Sequence, residues 1–299
     1  MTPVATPVAV RATSWDAALE ETLSRAARPA SPGVPGPHVH SVHARVLNVR
    51  IGADLVAVID DSLDDAPASI RVPFPRDVSA SPADPVLVRP GGLVLRNCLI
   101  DVTSATAWHP EPADLSALSR ADIARALRLL PASAPQPVTP FGRASAALLR
   151  GRAETFQRTL LRGDDRTVST AAHALIGLGE GLTPAGDDIL TGATFLAAQP
   201  GMRLGARLDT LRAAIAGAGQ RTTLLSAVTL NHALHGRSRQ RMHDLAHALS
   251  RRDTPAAGAA IARVREIGHT SGEDLLTGIR LALTVEHALR PSPHDPVHE

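Results

Sequence analysis

Apolar and polar positions change period once along the chain. Between about residues 38 and 110 they alternate, as on a half-buried strand. Val39, Ser41, His43, Arg45, Leu47 and Val49 form one alternating stretch. Leu55–Ile59 is a short apolar run before an Asp-rich turn, and Ser69–Val72 and Pro85–Arg89 are strand-like. Pro90-Gly91-Gly92 predicts a tight hairpin into the run Leu93–Ile100. Beyond about residue 143 the apolar positions recur at spacings of three and four, with breaks at Gly177–Pro184, Pro200-Gly201 and Ile267–Thr270. Residues 14–28 predict a short helix capped by Ser14, with Ala17, Leu19, Leu23 and Ala26 on its apolar face. Residues 1–9 are expected to be disordered, and the Pro- and Gly-rich stretch 29–37 excludes helix and central strand. A further helical pattern covers 111–130 through Leu115, Leu118, Ile123, Ala126, Leu127 and Leu130, and the four prolines of 131–141 mark a linker.

The fold class is therefore α+β. A β-rich N-terminal domain, a small barrel or sandwich, occupies 38–110 and follows a tail with a short helix at 1–37. A helix and linker at 111–142 lead to an α-helical C-terminal domain at 143–290 with an internal pseudo-repeat, and 291–299 form a second tail.

Composition narrows the chemistry. The 299 residues contain no lysine, so every one of the 31 basic residues is arginine. Lysine Schiff bases, pyridoxal phosphate anchoring and the Walker phosphate loop are excluded. Aromatic residues make up only 2% and the net charge is only +2. Base stacking lacks its tools and no dense basic face is evident, so nucleic acid is not an expected partner. The single cysteine, Cys98, rules out an intrachain disulfide and reads as a buried strand position. No apolar run is long enough for a membrane span, and a cytoplasmic location fits these features.

The helical domain contains a short repeat. Gly186-Asp187-Asp188-Ile189-Leu190-Thr191-Gly192 matches Gly272-Glu273-Asp274-Leu275-Leu276-Thr277-Gly278 position for position, at an offset of 86 residues. With one residue skipped, Gly181-Leu182-Thr183 lies over Gly268-His269-Thr270. Each copy reads as a loop followed by a helix start. In the first, Thr183 can cap with Pro184 in the first helical position. In the second, Thr270-Ser271-Gly272-Glu273 fits a capping box. Two such starts can converge on an anionic or polar ligand through backbone N–H groups, or hold a divalent cation between acidic pairs. Acidic residues in a first turn also stabilise a helix with no function attached, and shared packing can by itself preserve a repeat. Gly177-Leu178-Gly179-Glu180-Gly181 resembles a phosphate loop only weakly, without a preceding strand or a lysine, and reads as a backbone-exposing loop.

Other groupings compete. His243 and His247 stand at i and i+4 with Asp244 between them, a shortened zinc-hydrolase pattern without an evident third ligand. A solvated, His-rich helix face is the simpler account. Thr223 and Ser226 share a helix face and can bind substrate or merely cap.

The two motifs, Gly177-x-Gly179-x-Gly181-Leu182-Thr183-Pro184-x-Gly186-Asp187-Asp188-x-Leu190-x-Gly192 and Gly268-His269-Thr270-Ser271-Gly272-x-Asp274-x-Leu276-x-Gly278, closely resemble those of the AllH-type subunit family of oxamate carbamoyltransferase. The likeness extends weakly to His40-Ser41-Val42 and Trp108-His109-Pro110. It implies a role in purine (allantoin) catabolism within a multi-subunit complex, beside an FdrA-like subunit and a further large subunit. The implied reaction passes a carbamoyl group between oxalurate and phosphate, giving oxamate and carbamoyl phosphate. The family often has proline where this chain carries Glu180, whose charge disfavours phosphate at that loop.

Together, motifs and resemblance lead to a subunit of a carbamoyltransferase with a small anionic substrate. Asp187, Asp188, Asp274 and His269 are the expected catalytic residues, with His269 the candidate for proton transfer. Gly181, Thr183, Gly186, Thr270, Ser271, Gly272, Glu273, Thr223 and Ser226 are the expected substrate-binding residues, with Gly186 and Gly272 presenting N–H groups. Asp188 and Asp274 are the candidate ligands for Mg²⁺. The competing readings are a stand-alone ureido or amide hydrolase, perhaps metal-dependent, and a non-catalytic assembly subunit.

Overall fold

The computed structural model of the chain describes residues 8–28, 35–73, 80–96, 98–131 and 140–291, and it divides into two compact units at Pro110/Glu111. The expectations for residues 1–7 and for most of the 131–141 linker lie outside the described residues.

The first unit is β-rich. Its strands are β1 (Val8–Arg11), β2 (Ser14–Asp16), β3 (His38–His43), β4 (Val46–Ile51), β5 (Asp54–Asp60), β6 (Ser69–Val72), β7 (Val86–Arg89), β8 (Gly92–Leu95), β9 (Cys98–Asp101) and β10 (Thr106–Trp108), with helix α1 (Leu19–Ala26) after β2. They form a four-stranded sheet ordered β1-β9-β8-β7 and a six-stranded sheet ordered β10-β2-β6-β5-β4-β3. Inward residues of both sheets, among them Val39, Val49, Val56, Ile70, Val88, Leu93 and Ile100, share one core, which makes the unit a sandwich. Cys98 is buried on β9, and burial pushes its thiol pKa up.

Several expected elements change here. The 14–28 helix is shorter, and Ser14 does not cap it. Ser14 and Trp15 pair with Arg71 and Ile70 of β6, and the Ser14 hydroxyl donates to Asp65. The helix begins after Asp16, whose carboxylate accepts from the Ala18 N–H (3.1 Å). Val8 and Ala9, expected in a disordered tail, form β1 and lie parallel to β9. The alternating stretch 39–49 is a hairpin with its turn at Ala44-Arg45, and 93–100 is another, turned at Arg96 with φ 48°. The hairpin at Pro90–Gly92 forms as expected, with Gly91 at φ 81°.

The second unit is helical: α2 (Arg120–Leu129), α3 (Pro140–Arg162), α4 (Asp165–His173), α5 (Ala185–Ala197), α6 (Leu208–Ala216), α7 (Leu224–Leu234), α8 (Gln240–Ser250), α9 (Thr254–Arg265) and α10 (Ser271–Leu289). The helix expected over 111–130 starts only at Arg120, where Ser119 and Asp122 form a capping box. Leu115 is buried all the same, held by its N–H bond to the Pro200 carbonyl (2.8 Å). Every residue of α5 from Gly186 to Ala197 is buried, as expected of a helix at the centre of a bundle. No helix among the described residues is long and apolar enough to cross a membrane.

Candidate functional site

The two copies of the repeat meet in space. Helices α5 and α10 start at equivalent positions and cross one to two turns in. At the crossing, a Cβ on Gly192 would lie 2.1 Å from the Leu275 carbonyl oxygen, and one on Gly278 would lie 2.1 Å from that of Ile189. These are matching residues in exchanged roles, so the helices cross about a local pseudo-two-fold axis. The absence of side chains is what lets the backbones close.

The first glycine of each copy also serves packing. A Cβ on Gly186 would meet the Leu175 carbonyl oxygen at 2.1 Å, and one on Gly272 would meet that of Val264 at 2.2 Å. Their N–H groups are engaged internally: Gly186 donates to Leu178 O (2.8 Å) and Gly272 to Ile267 O (2.9 Å). The expectation that they present N–H groups to a ligand is therefore corrected; these groups seat each helix on the turn before it.

The acidic residues divide by role. Asp187 is buried with both oxygens in use. The Gly177 N–H donates to Oδ1 (2.8 Å), and the Thr222 hydroxyl donates to Oδ2. Asp187 thus ties the glycine loop and the start of α7 to α5. Gly177 sits at φ 74° with the Arg221 carbonyl 2.1 Å from where a Cβ would be, so no other residue fits there. Glu273 pairs with Arg265 of α9 (2.6 Å). The expected capping box at Thr270–Glu273 does not form, since Thr270 makes no side-chain cap bond and the guanidinium offers Glu273 a stronger, charge-assisted partner.

Asp188 and Asp274, the matching positions of the repeat, remain. Both are buried, at 5% and 7% exposure. Burial raises the Asp188 pKa to about 7; hydrogen bonding from Ser271 pulls it down, the charge of Asp274 pushes it up, Thr183 pulls it down again and Asp187 adds a smaller push. Burial, with the charge of Glu273, raises Asp274 to about 7 as well. Asp188 Oδ2 is buried without a hydrogen-bond partner. Thr183, expected to cap α5, instead shares a hydrogen bond with Ser271 (Oγ1···Oγ 3.0 Å), and Pro184 takes the capping position. The site is thus a pair of carboxyl groups that hold or release a proton near neutrality, beside two linked hydroxyls.

Among the described residues, no side-chain hydrogen bond joins the other expected residues to this pair. Gly181, His269 and Thr270 are exposed on the two loops that lead into the helices. Thr223 caps α7 by accepting from the Ser226 N–H (3.1 Å), and its hydroxyl donates to Leu182 O (2.7 Å). Ser226 is buried, with its hydroxyl unpartnered. Thr222 and Arg265, which position the acids, carried no distinguishing signal in the sequence.

The described residues contain no group of three or more His, Cys, Asp or Glu side chains placed to hold a metal. Asp187 has both oxygens in use and Glu273 Oε1 is held by Arg265, while Glu273 Oε2 and Asp188 Oδ2 are buried without a partner. His243 is buried and its Nε2 accepts from the Ser238 N–H (3.2 Å), while His247 Nε2 donates to Glu111 O (3.1 Å). These two imidazoles serve structure, not a zinc ion.

A family model described as oxamate carbamoyltransferase subunit AllH matches residues 175–283, and one described as the AllH family N-terminal domain matches residues 11–107. The chain belongs to the AllH family. The first match holds both helix starts and every residue of the carboxyl pair; the second spans most of the sandwich. No solved structure matches the chain. The family description makes the chain a carbamoyltransferase subunit.

Proposed function

We propose that Asp188 and Asp274 form the proton-transfer centre of a carbamoyl transfer between an oxalurate-type ureido acid and phosphate. The observation that carries this reading is the meeting of two matching, buried carboxyls, each raised to about 7. In the transfer, a phosphate oxygen bonds to the carbamoyl carbon and the C–N bond to the departing oxamate nitrogen breaks. The proton of hydrogen phosphate ends on that nitrogen, so the reaction needs one group to accept it and one to supply it. A carboxyl pair sharing a proton near pH 7 does both. A partly protonated pair also tolerates an anionic substrate that two ionised carboxylates would repel. Ser271 and Thr183 orient the pair, and the partner subunits complete the substrate site.

The test is the reconstituted complex with Asp188→Asn and Asp274→Asn. Each amide keeps shape but cannot pass a proton, so turnover should fall by about 100-fold or more. Undiminished turnover would assign this chain to assembly. Turnover by the purified chain alone, without phosphate, would assign it to hydrolysis.

A further inference from the structure

Beside the glycine loop lies an open cavity of about 570 Å³, within the range of metabolite sites. Its lining includes Arg152 on α3, Thr170 and His173 on α4, and Gly177 and Arg221 on the loops that flank α5 and α7. Among the described residues the lining includes no acid, and Glu180, farther along the same loop, is exposed and lies outside it. Arg152 and Arg221 make no ion pair among the described residues, whereas Arg207, Arg241, Arg265 and Arg290 of the same unit do. Two uncompensated guanidiniums on one cavity repel each other and call for an anion. The mouth is built, not loose. The Arg221 carbonyl is pressed against Gly177, and Asp187 holds the Gly177 N–H and the Thr222 hydroxyl next to Arg221. The His173 ring is fixed by its Nε2–H donating to Ala214 O (3.0 Å).

We infer that this cavity binds a phosphate group, clamped by Arg152 and Arg221 with Thr170 and His173 at its side. Guanidiniums match phosphate oxygens by paired N–H donors, and a dianion meets both charges at once. The inference deepens the proposed transfer, on which it rests for the source of its phosphate. Asp187 links the cavity mouth to the helix start that carries Asp188.

Calorimetric titration of the full chain with inorganic phosphate tests it. The wild-type chain should bind, and Arg152→Ala and Arg221→Ala should each weaken binding by about tenfold or more. Both side chains are exposed, so the variants should melt like the wild type. Gly258→Ala, on α9 and outside the cavity lining, should leave phosphate affinity unchanged. Absent binding, or arginine variants that bind as the wild type does, would overturn the inference. Tighter competition by a carboxylate monoanion such as oxamate than by phosphate would overturn it too. If phosphate binding behaves as expected while Asp188→Asn keeps full turnover, the proton-transfer reading fails and the phosphate site stands.

Discussion

A Cβ placed on Gly278 would lie 2.1 Å from the carbonyl oxygen of Ile189, and the matching Gly192 meets Leu275 in the same way. The crossing of α5 and α10 therefore exists only with glycine at both positions. Gly278→Ala and Gly192→Ala should each destabilise the chain by about 1–3 kcal/mol through forced separation of the helices. Gly258, in the middle of α9, has open space where its Cβ would be. Gly258→Ala should stabilise by about 0.5–1 kcal/mol. Urea denaturation of the three variants checks both signs, and equal effects would remove the packing account of the repeat.

The carboxyl pair makes stability depend on pH in a direction unusual for aspartates. In the unfolded chain Asp188 and Asp274 titrate near 3.8, and in the folded one near 7. Between those values the folded state binds more protons, so this contribution is full below 3.8 and is lost as pH rises through about 7. His243 works in opposition. Burial, with the neighbouring charge of His247, lowers it from 6.5 to about 4, so its contribution is present above 6.5 and is lost as pH falls through about 4. The wild-type curve contains both trends. Subtracting the curve of Asp188→Asn/Asp274→Asn should isolate the first, a gain in stability from pH 8 to pH 5. A flat difference between the two curves would mean that the carboxyls are not raised.

The buried Glu286 accepts from the backbone N–H groups of Arg203 (3.2 Å) and Leu204 (3.0 Å) and from Arg290 (2.8 Å). Arg290 in turn donates to the carbonyls of Leu115, Ser116, Leu118 and Gly201, fixing the irregular segment before α2. Removing either partner leaves the other charge in a nearly closed site with backbone partners but no opposite charge. Arg290→Ala and Glu286→Ala should each cost about 3–5 kcal/mol. Thermal unfolding measures this, and a cost below that of an exposed pair such as Arg25–Asp54 would refute the arrangement.

What the sequence made legible was local chemistry and period. The Pro90–Gly92 hairpin follows from residues that accept the turn, whereas the turn at Arg96 uses a left-handed arginine that no pattern advertises. The repeat was visible, but the letter G is the same whether a glycine admits a ligand or a neighbouring helix. Only the carbonyls opposite Gly186, Gly192, Gly272 and Gly278 decide between them. Asp187 and Asp188 are adjacent and identical, yet successive helix positions point about 100° apart. One faces the glycine loop and the other the partner carboxyl. The missing capping box has a similar cause: Arg265, on another helix, outcompetes the local backbone for Glu273.

Thr183 and Ser271 act on the titration of Asp188. The two hydroxyls lie 3.0 Å apart, and hydrogen bonding from them favours ionised Asp188 and lowers its pKa against the larger effect of burial; one proton at a time serves either the carboxylate or the other hydroxyl. Losing either hydroxyl favours the protonated carboxyl, because the ionised form loses a donor in a site with little water to replace it. Ser271→Ala and Thr183→Val should therefore raise the Asp188 pKa further above 3.8. The pH–rate profile of the complex, bell-shaped if one carboxyl must be charged and the other neutral, should shift toward alkaline pH. Thr223→Ala supplies the comparison. It removes the cap of α7, costing about 1 kcal/mol, without touching the pair, so the profile should stay in place as the melting point falls. A shift shared by all three variants would trace the profile to general loosening of the fold, and no shift in the first two would detach these hydroxyls from the proton-transfer step.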